Sequence, residues 1–326
     1  WTSKEFEFAV REKLGKIVSD VYIGDVRRIT GLDASGYHIR SLDDIVYLEK
    51  LKELNCFGNQ LTDIDGLEGL TGLEVLDLSD NRIGDISSLA GLTNLKELYL
   101  SNNDICDISS LQGLADLEIL YIGGNQISDI GSLHGLKHLK ELCISQNQIG
   151  EITDLGGLKD LQYLDLGDNQ ISDIGCLGNL AGLNRLFLYG NEIGDISALS
   201  GLSNLEELYL YGNLITGLKG FGECRNLRYL SVGNNAIGDI GGLGALPNLT
   251  NLDISHNAIK SIDGIGRYET LTDLDISENQ IGDISGLCGL LELEYLNMSH
   301  NQVGDLSPLA GLTKLESVSI INNPIH

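Results

Sequence analysis

The residues best suited to chemistry in this sequence of 326 residues are scattered singly, and their spacings defeat the reactions their types suggest. Asp253, Ser255 and His256 carry the groups of a hydrolytic triad, but they are neighbours in one extended segment and its turn. Alternation there points them apart, and no G-x-S-x-G elbow is present. His134 and His138 stand four apart, yet the segment between them reads as a short tight coil without a carboxylate partner. Asp253, Asp275 and Asn297 fall 22 residues apart and could align as oxygen ligands for a hard cation. No ligand-rich loop accompanies them, so a solvated acidic face is the simpler reading. The P-loop pattern is absent. No catalytic residue, metal site or cofactor is therefore expected.

What remains is aromatic. Tyr163, Arg185, Phe187, Tyr189, Tyr209, Tyr211 and Tyr229 occupy positions that alternate with a row of leucines. Among them Phe187, Tyr189, Tyr209 and Tyr211 are expected to form a two-by-two block facing solvent. Rings beside an arginine match the composition of protein interface hot spots. The plainer explanation is that tyrosine favours strands and pairs across neighbouring ones. These seven residues are the expected ligand-binding set.

Their placement follows from a repeat. Asn59, Asn81, Asn103, Asn125, Asn147, Asn169, Asn191, Asn213, Asn235, Asn257, Asn279, Asn301 and Asn323 recur every 22 residues without an insertion. Such a period marks a solenoid of stacked units, none of which can bury its apolar row alone. Around Asn81 the apolar residues are Ile83, Ile86, Leu89, Leu92, Leu95, Leu98 and Leu100. The first six are spaced by three, which predicts a 3₁₀-like coil. Leu98 and Leu100 alternate with Glu97, Tyr99 and Ser101, which predicts a short strand with the latter three outward. Stacked strands would form a parallel sheet on the concave face, with the 3₁₀ turns on the convex face.

The asparagine column is expected to satisfy backbone groups that the core hides from water, since a carboxamide offers both donor and acceptor. A second column is acidic, at Asp63, Asp85, Asp107, Asp129, Glu151, Asp173, Asp195, Asp239, Asp283 and Asp305. It is read as capping each 3₁₀ turn. Glycines such as Gly91, Gly113 and Gly289 are expected to relieve crowding on the outer curve.

An uninterrupted repeat overrides the two-domain prior of this length. Residues 1–28 read as a helical cap, with Thr2 and Glu5 at capping-box spacing, Phe6, Val10 and Leu14 on one face, and Gly15 as the stop. A second helical turn is expected over Tyr22–Arg28, begun by Ser19 or Asp20. Residues 29–326 then hold about 14 repeats, the first degenerate with Tyr37 in the asparagine position. The pattern loosens at 217–225 and 261–270, where the length is kept and changed curvature or dressing of the convex side is expected rather than a break.

The formal charge of −26 disfavours nucleic acid and anionic membranes as partners and favours a basic protein. No apolar run is long enough for a membrane span. Cys56, Cys106, Cys143, Cys176, Cys224 and Cys288 follow no pairing or metal spacing and read as unpaired thiols. Trp1 opens the chain without an initiator methionine, and no capping segment follows Asn323. A processed or excised chain is expected, one that either continues downstream or packs this end on another chain.

The line LxxLxxLxLxxNxIxDISxLxGL, as in Leu73–Leu92 and Leu95–Leu114, resembles the bacterial internalin-type leucine-rich repeat over residues 29–325. The opening FEFAVREKLGKI and the following DVRRITGLDAS are similar to the helical cap of such proteins. The resemblance implies an α/β fold: a right-handed leucine-rich-repeat solenoid, a horseshoe or curved rod that binds macromolecules through its concave sheet. It also implies a bacterial surface or secreted protein. Six cysteines and the lack of an immunoglobulin-like module or wall anchor leave a cytoplasmic location as the alternative.

The function expected is a non-catalytic scaffold that binds a protein ligand. The competing readings are an intracellular regulatory scaffold resembling phosphatase-regulator subunits, a hydrolase or metal enzyme, and a spacer for a distal domain.

Overall fold

The computed structural model describes residues 1–222 and 224–326, in two compact units, Trp1–Leu161 and Gln162–His326. The first unit opens with helix α1 (Lys4–Leu14) and the single turn α2 (Ile23–Val26). Its strands are β1 (Gly31–Asp33), β2 (Glu53–Asn55), β3 (Val75–Asp77), β4 (Glu97–Tyr99), β5 (Ile119–Tyr121) and β6 (Glu141–Cys143). The second unit holds β7 (Tyr163–Asp165), β8 (Arg185–Phe187), β9 (Glu207–Tyr209), β10 (Tyr229–Ser231), β11 (Asn251–Asp253), β12 (Asp273–Asp275), β13 (Tyr295–Asn297) and β14 (Ser317–Ser319). Within each unit every strand pairs in parallel with its sequence neighbour, at a register offset of one repeat: Glu53 faces Val75, and Arg185 faces Glu207.

The coil between strands is the 3₁₀ run that the leucine spacing predicts. Leu89, Leu92 and Leu95 donate in succession to the carbonyls of Ile86, Leu89 and Leu92, each at 3.0 Å. Because side chains three apart eclipse in this geometry, they project to one side. Ile83, Ile86, Leu89, Leu92, Leu95, Leu98 and Leu100 are all at most 1 % exposed. Each such leucine contributes roughly 1.5 to 3 kcal/mol by leaving water, and only the adjacent coils supply the cover.

The asparagines form the expected ladder. Asn191 Nδ2 donates to Leu188 O of its own coil at 3.1 Å and to Leu166 O of the preceding coil at 3.0 Å, while its Oδ1 accepts from Ile171 N at 3.0 Å. Leu188 O also receives Asn213 Nδ2 at 2.9 Å, so one carbonyl is shared by two rungs. The same contacts recur in the first unit around Asn103. The acidic column also caps as expected: Asp85 Oδ1 accepts from Ser87 N at 2.8 Å and Asp195 Oδ1 from Ser197 N at 2.9 Å. These backbone bonds hold both carboxyls below their ordinary pKa. Where Ser261 replaces the acid, its hydroxyl accepts from Asp263 N instead.

Several local expectations are corrected. The N-cap of α1 is Ser3, whose Oγ accepts from Phe6 N at 3.1 Å; Thr2 instead gives both its amide and its hydroxyl to Asp44. Gly15 does end the helix, at φ 64. The second turn begins at Tyr22, whose amide is held by Asp25 Oδ2 at 3.0 Å, rather than at Ser19 or Asp20. Tyr37 closes the cap onto the first repeat by a tilted ring contact with Phe8 at 5.9 Å and 52° and a hydrogen bond to Glu12. Crowding explains Gly289, where a Cβ would lie 2.5 Å from Gly266 O, but not Gly91 or Gly113, where the nearest atoms lie 4.0 and 3.9 Å away. In the loosened stretches Phe221 and Tyr268 fill leucine positions at 1 % and 3 % exposure, and Tyr268 Oη finds Gly244 O at 2.9 Å.

Candidate functional site

Strand alternation leaves two residues of each strand outward, and the parallel register lines them up in rows. In the second unit one row runs Tyr163, Arg185, Glu207, Tyr229 and the next runs Asp165, Phe187, Tyr209, Ser231. Neighbours within a row stand about 4.8 Å apart, the separation of stacked aromatic rings. The rings meet both within a row and across rows. Tyr163 meets Phe187 at 5.3 Å, Phe187 lies on Tyr209 at 4.6 Å and 7°, and Tyr209 lies on Tyr229 at 4.6 Å and 28°. The column thus bows around the charged pair Arg185 Nε to Glu207 Oε1, 3.2 Å apart, which occupies the row between Tyr163 and Tyr229.

Of the four residues expected in a two-by-two block, both cross-strand pairs stack, Phe187 on Tyr209 and Tyr189 on Tyr211. Tyr189 and Tyr211 have centroids 5.4 Å apart at 8°. Their position just past the strands leans Tyr189 across Gly167, where a Cβ would come within 2.2 Å of its Cζ. All seven expected residues lie on the outward face, but only Arg185 and Tyr211 are exposed; the other five are half-buried by one another. Burial, then the charge of Glu207, pushes the Tyr209 hydroxyl up to about 12. Burial and the Asp253 carboxylate raise Tyr229 as well.

Glu207, which fixes Arg185 and accepts from Tyr209 Oη at 3.5 Å, is a member the sequence reasoning left out. Its outward phase was the available signal. The first unit carries a smaller aromatic pair, Tyr99 and Tyr121, edge to face at 5.4 Å, with hydroxyls on Glu97 and Glu141. Burial first, then the Glu97 bond, pushes Tyr99 up to about 12.

Among the other chemical candidates two expectations are corrected: Asp253 and Ser255, expected to point apart, are hydrogen bonded, and His138, expected to lack a carboxylate, has one nearby. Ser255 Oγ is spent on Asp253 Oδ1 at 2.6 Å, and His256 enters the turn at φ 50. His134 Nδ1 sits 2.6 Å from Gly131 O, whereas His138 does have a carboxylate nearby, Asp160 at 3.8 Å. Asp253 and Asp275 each use Oδ1 to hold a serine amide two residues on, and Asp275 Oδ2 accepts from Asn297 Nδ2 at 2.9 Å. Among the described residues no cluster of three or more His, Cys, Asp or Glu is placed to hold a metal. Nor does any helix among them have the length and apolarity to cross a membrane. Cys56, Cys106 and Cys288 are free thiols, the first buried and the other two exposed.

The sequence matches the family profile described as leucine-rich repeats (2 copies) over residues 49–91, 71–113, 115–159, 159–201, 203–245, 225–267 and 291–326. A second leucine-rich-repeat profile matches 247–303. The fold is similar to the crystal structure of the internalin InlF from Listeria monocytogenes, at 33 % identity and TM-score 0.94, covering 98 % of this chain and 95 % of that one. A leucine-rich-repeat protein of Leptospira interrogans aligns at 26 % identity and TM-score 0.88, covering 95 % of this chain and 82 % of its own. The internalin C2 of Listeria monocytogenes shares 36 % identity at TM-score 0.63, over 65 % of this chain and 94 % of that one. No curated protein sequence matches. With stacked parallel strands, 3₁₀ connections, an asparagine ladder and these matches together, the chain belongs to the leucine-rich-repeat family in its bacterial internalin type.

Proposed function

We propose that this protein is a non-catalytic scaffold that grips a protein ligand on the outward sheet face of its second unit. Leucine-rich repeats are a scaffold of protein–protein interaction, and the internalin relationship supports that use here. The observation that carries the reading is the column Tyr163, Phe187, Tyr209 and Tyr229 with Arg185 beside it. Stacking already restricts these side chains, so a partner that covers them loses little further rotamer entropy. Tyr189 and Tyr211 extend the surface, and Tyr211 is 45 % exposed.

The net charge of −26 favours a basic partner over nucleic acid. A bacterial surface or secreted location fits the internalin type. A cytoplasmic regulatory scaffold is the second reading, favoured by the exposed free thiols of Cys106 and Cys288.

Selection of a random-peptide display library on the immobilised protein tests the site. Recovered peptides should bind about 30-fold more weakly, roughly 2 kcal/mol, to the Tyr189→Ala/Tyr211→Ala variant. Unchanged affinity across all recovered peptides would reject the face.

A further inference from the structure

Beyond the aromatic column the same sheet changes character. The row that holds Tyr229 continues through Asn251, Asp273 and Tyr295, and the adjacent row continues through Asp253, Asp275 and Asn297. Between the two tyrosines the surface dips into a cavity of about 530 Å³ whose lining includes Asp253, Asp273 and Asp275 and no lysine or arginine. Tyr229 and Tyr295 lie three strands apart, so the cavity is roughly 14 Å across.

We infer that this cavity receives an arginine side chain of the protein partner, its guanidinium lying against the Tyr229 ring and forked onto Asp273. The inference rests on the second unit's sheet being the binding face. Three observations carry it. Tyr209 covers one face of Tyr229 at 4.6 Å, and Tyr229 also lines the cavity, so the end of the column offers a ring face where its middle does not. A cation is drawn to such a face, and a planar guanidinium can stack there while its N–H groups reach a carboxylate.

The carboxylates are also held ready. Ser231 and Ser255 fix Asp253, Ser277 and Asn297 fix Asp275, and Thr272 Oγ1 holds one oxygen of Asp273 at 2.7 Å. Asp273 Oδ1 accepts no hydrogen bond among the described residues, and none of the three acids has an ion-pair partner there. A side chain entering the cavity would therefore meet one oriented, unfilled acceptor backed by two further negative charges.

The first unit provides the contrast. Its cavity over β1 to β4, lined by Asp33, Glu53 and Asp77, includes the chain's own Lys13. Glu207 likewise has Arg185. The acids at 253, 273 and 275 have no ion-pair partner among the described residues and no lysine or arginine in the lining beside them, so an entering guanidinium would meet uncompensated negative charge.

Titration with acetyl-arginine amide and with the isosteric, uncharged acetyl-citrulline amide, read by the ring resonances of Tyr229 and Tyr295, tests this. The arginine probe should shift both rings, and the citrulline probe should bind at least tenfold more weakly. Asp273→Asn should weaken the arginine probe by a similar factor, and Tyr295→Ala, at an exposed ring, provides a second variant with little risk to folding. Glu269→Gln, which removes an exposed acid away from this face, should leave the titration unchanged. Equal binding of the two probes, equal binding of acetyl-lysine amide, or indifference to both cavity variants would overturn the inference. If the arginine probe fails while selected peptides still depend on Tyr189 and Tyr211, the binding face stands and only the cavity assignment falls. If the probe succeeds while no peptide depends on those tyrosines, the cavity stands alone.

Discussion

Phe187 and Tyr209 lie face to face with centroids 4.6 Å apart and planes 7° from parallel, the tightest overlap in the aromatic column. They are opposite residues of β8 and β9, so the strand separation itself sets the spacing of the rings. Phe187→Ala and Tyr209→Ala, singly and together, should therefore be coupled. A double-mutant cycle by urea denaturation is expected to give about 0.5 to 1.5 kcal/mol of interaction. Additive effects would mean that the stack contributes only through burial.

Removal of one rung tests the ladder. Asn191→Ala strips the amide of Ile171 of the acceptor it has among the described residues, while Leu166 O and Leu188 O each keep another asparagine. One orphaned buried donor costs about 1 to 3 kcal/mol, which should appear as a lowered denaturation midpoint. Asn191→Asp should be at least as damaging, because it turns a carboxylate toward those two carbonyl oxygens. A variant as stable as the parent would show that the rungs are dispensable.

Gly167 holds space for a ring. In Gly167→Ala the new Cβ would come within 2.2 Å of Tyr189 Cζ, so the ring must swing off and leave its stack on Tyr211. Stability should fall by no more than about 1 to 3 kcal/mol. Peptide binding that depends on Tyr189 should fall with it, and a crystal structure of the variant would show whether the ring moves.

Alkaline pH tests the buried hydroxyls. Tyr99 and Tyr209 are raised from 10.0 to about 12, so the folded state holds their protons more tightly than the unfolded state does. Their contribution is complete below pH 10 and is lost as pH rises toward about 12. Spectrophotometric titration should show a late-ionising fraction of phenolate, diminished in Tyr209→Phe. A single transition near 10 would contradict the burial of both groups.

Most of the architecture was determined by sequence alone. Leucines three apart can share a side only in a 3₁₀ coil, and an asparagine in fixed register beside a buried strand end has one use, so coil, strand and ladder were legible from Leu73–Leu92. The outward phase of the seven site residues followed from the same alternation. Only the tertiary structure decided which ring meets which. Tyr163 reaches across to Phe187 while the Arg185–Glu207 pair fills its own row, and Tyr189 lies over the space that Gly167 leaves open. A 22-residue period specifies where a Cβ stands on the sheet; the rotamer that follows depends on neighbours one and two repeats away, which no local pattern encodes.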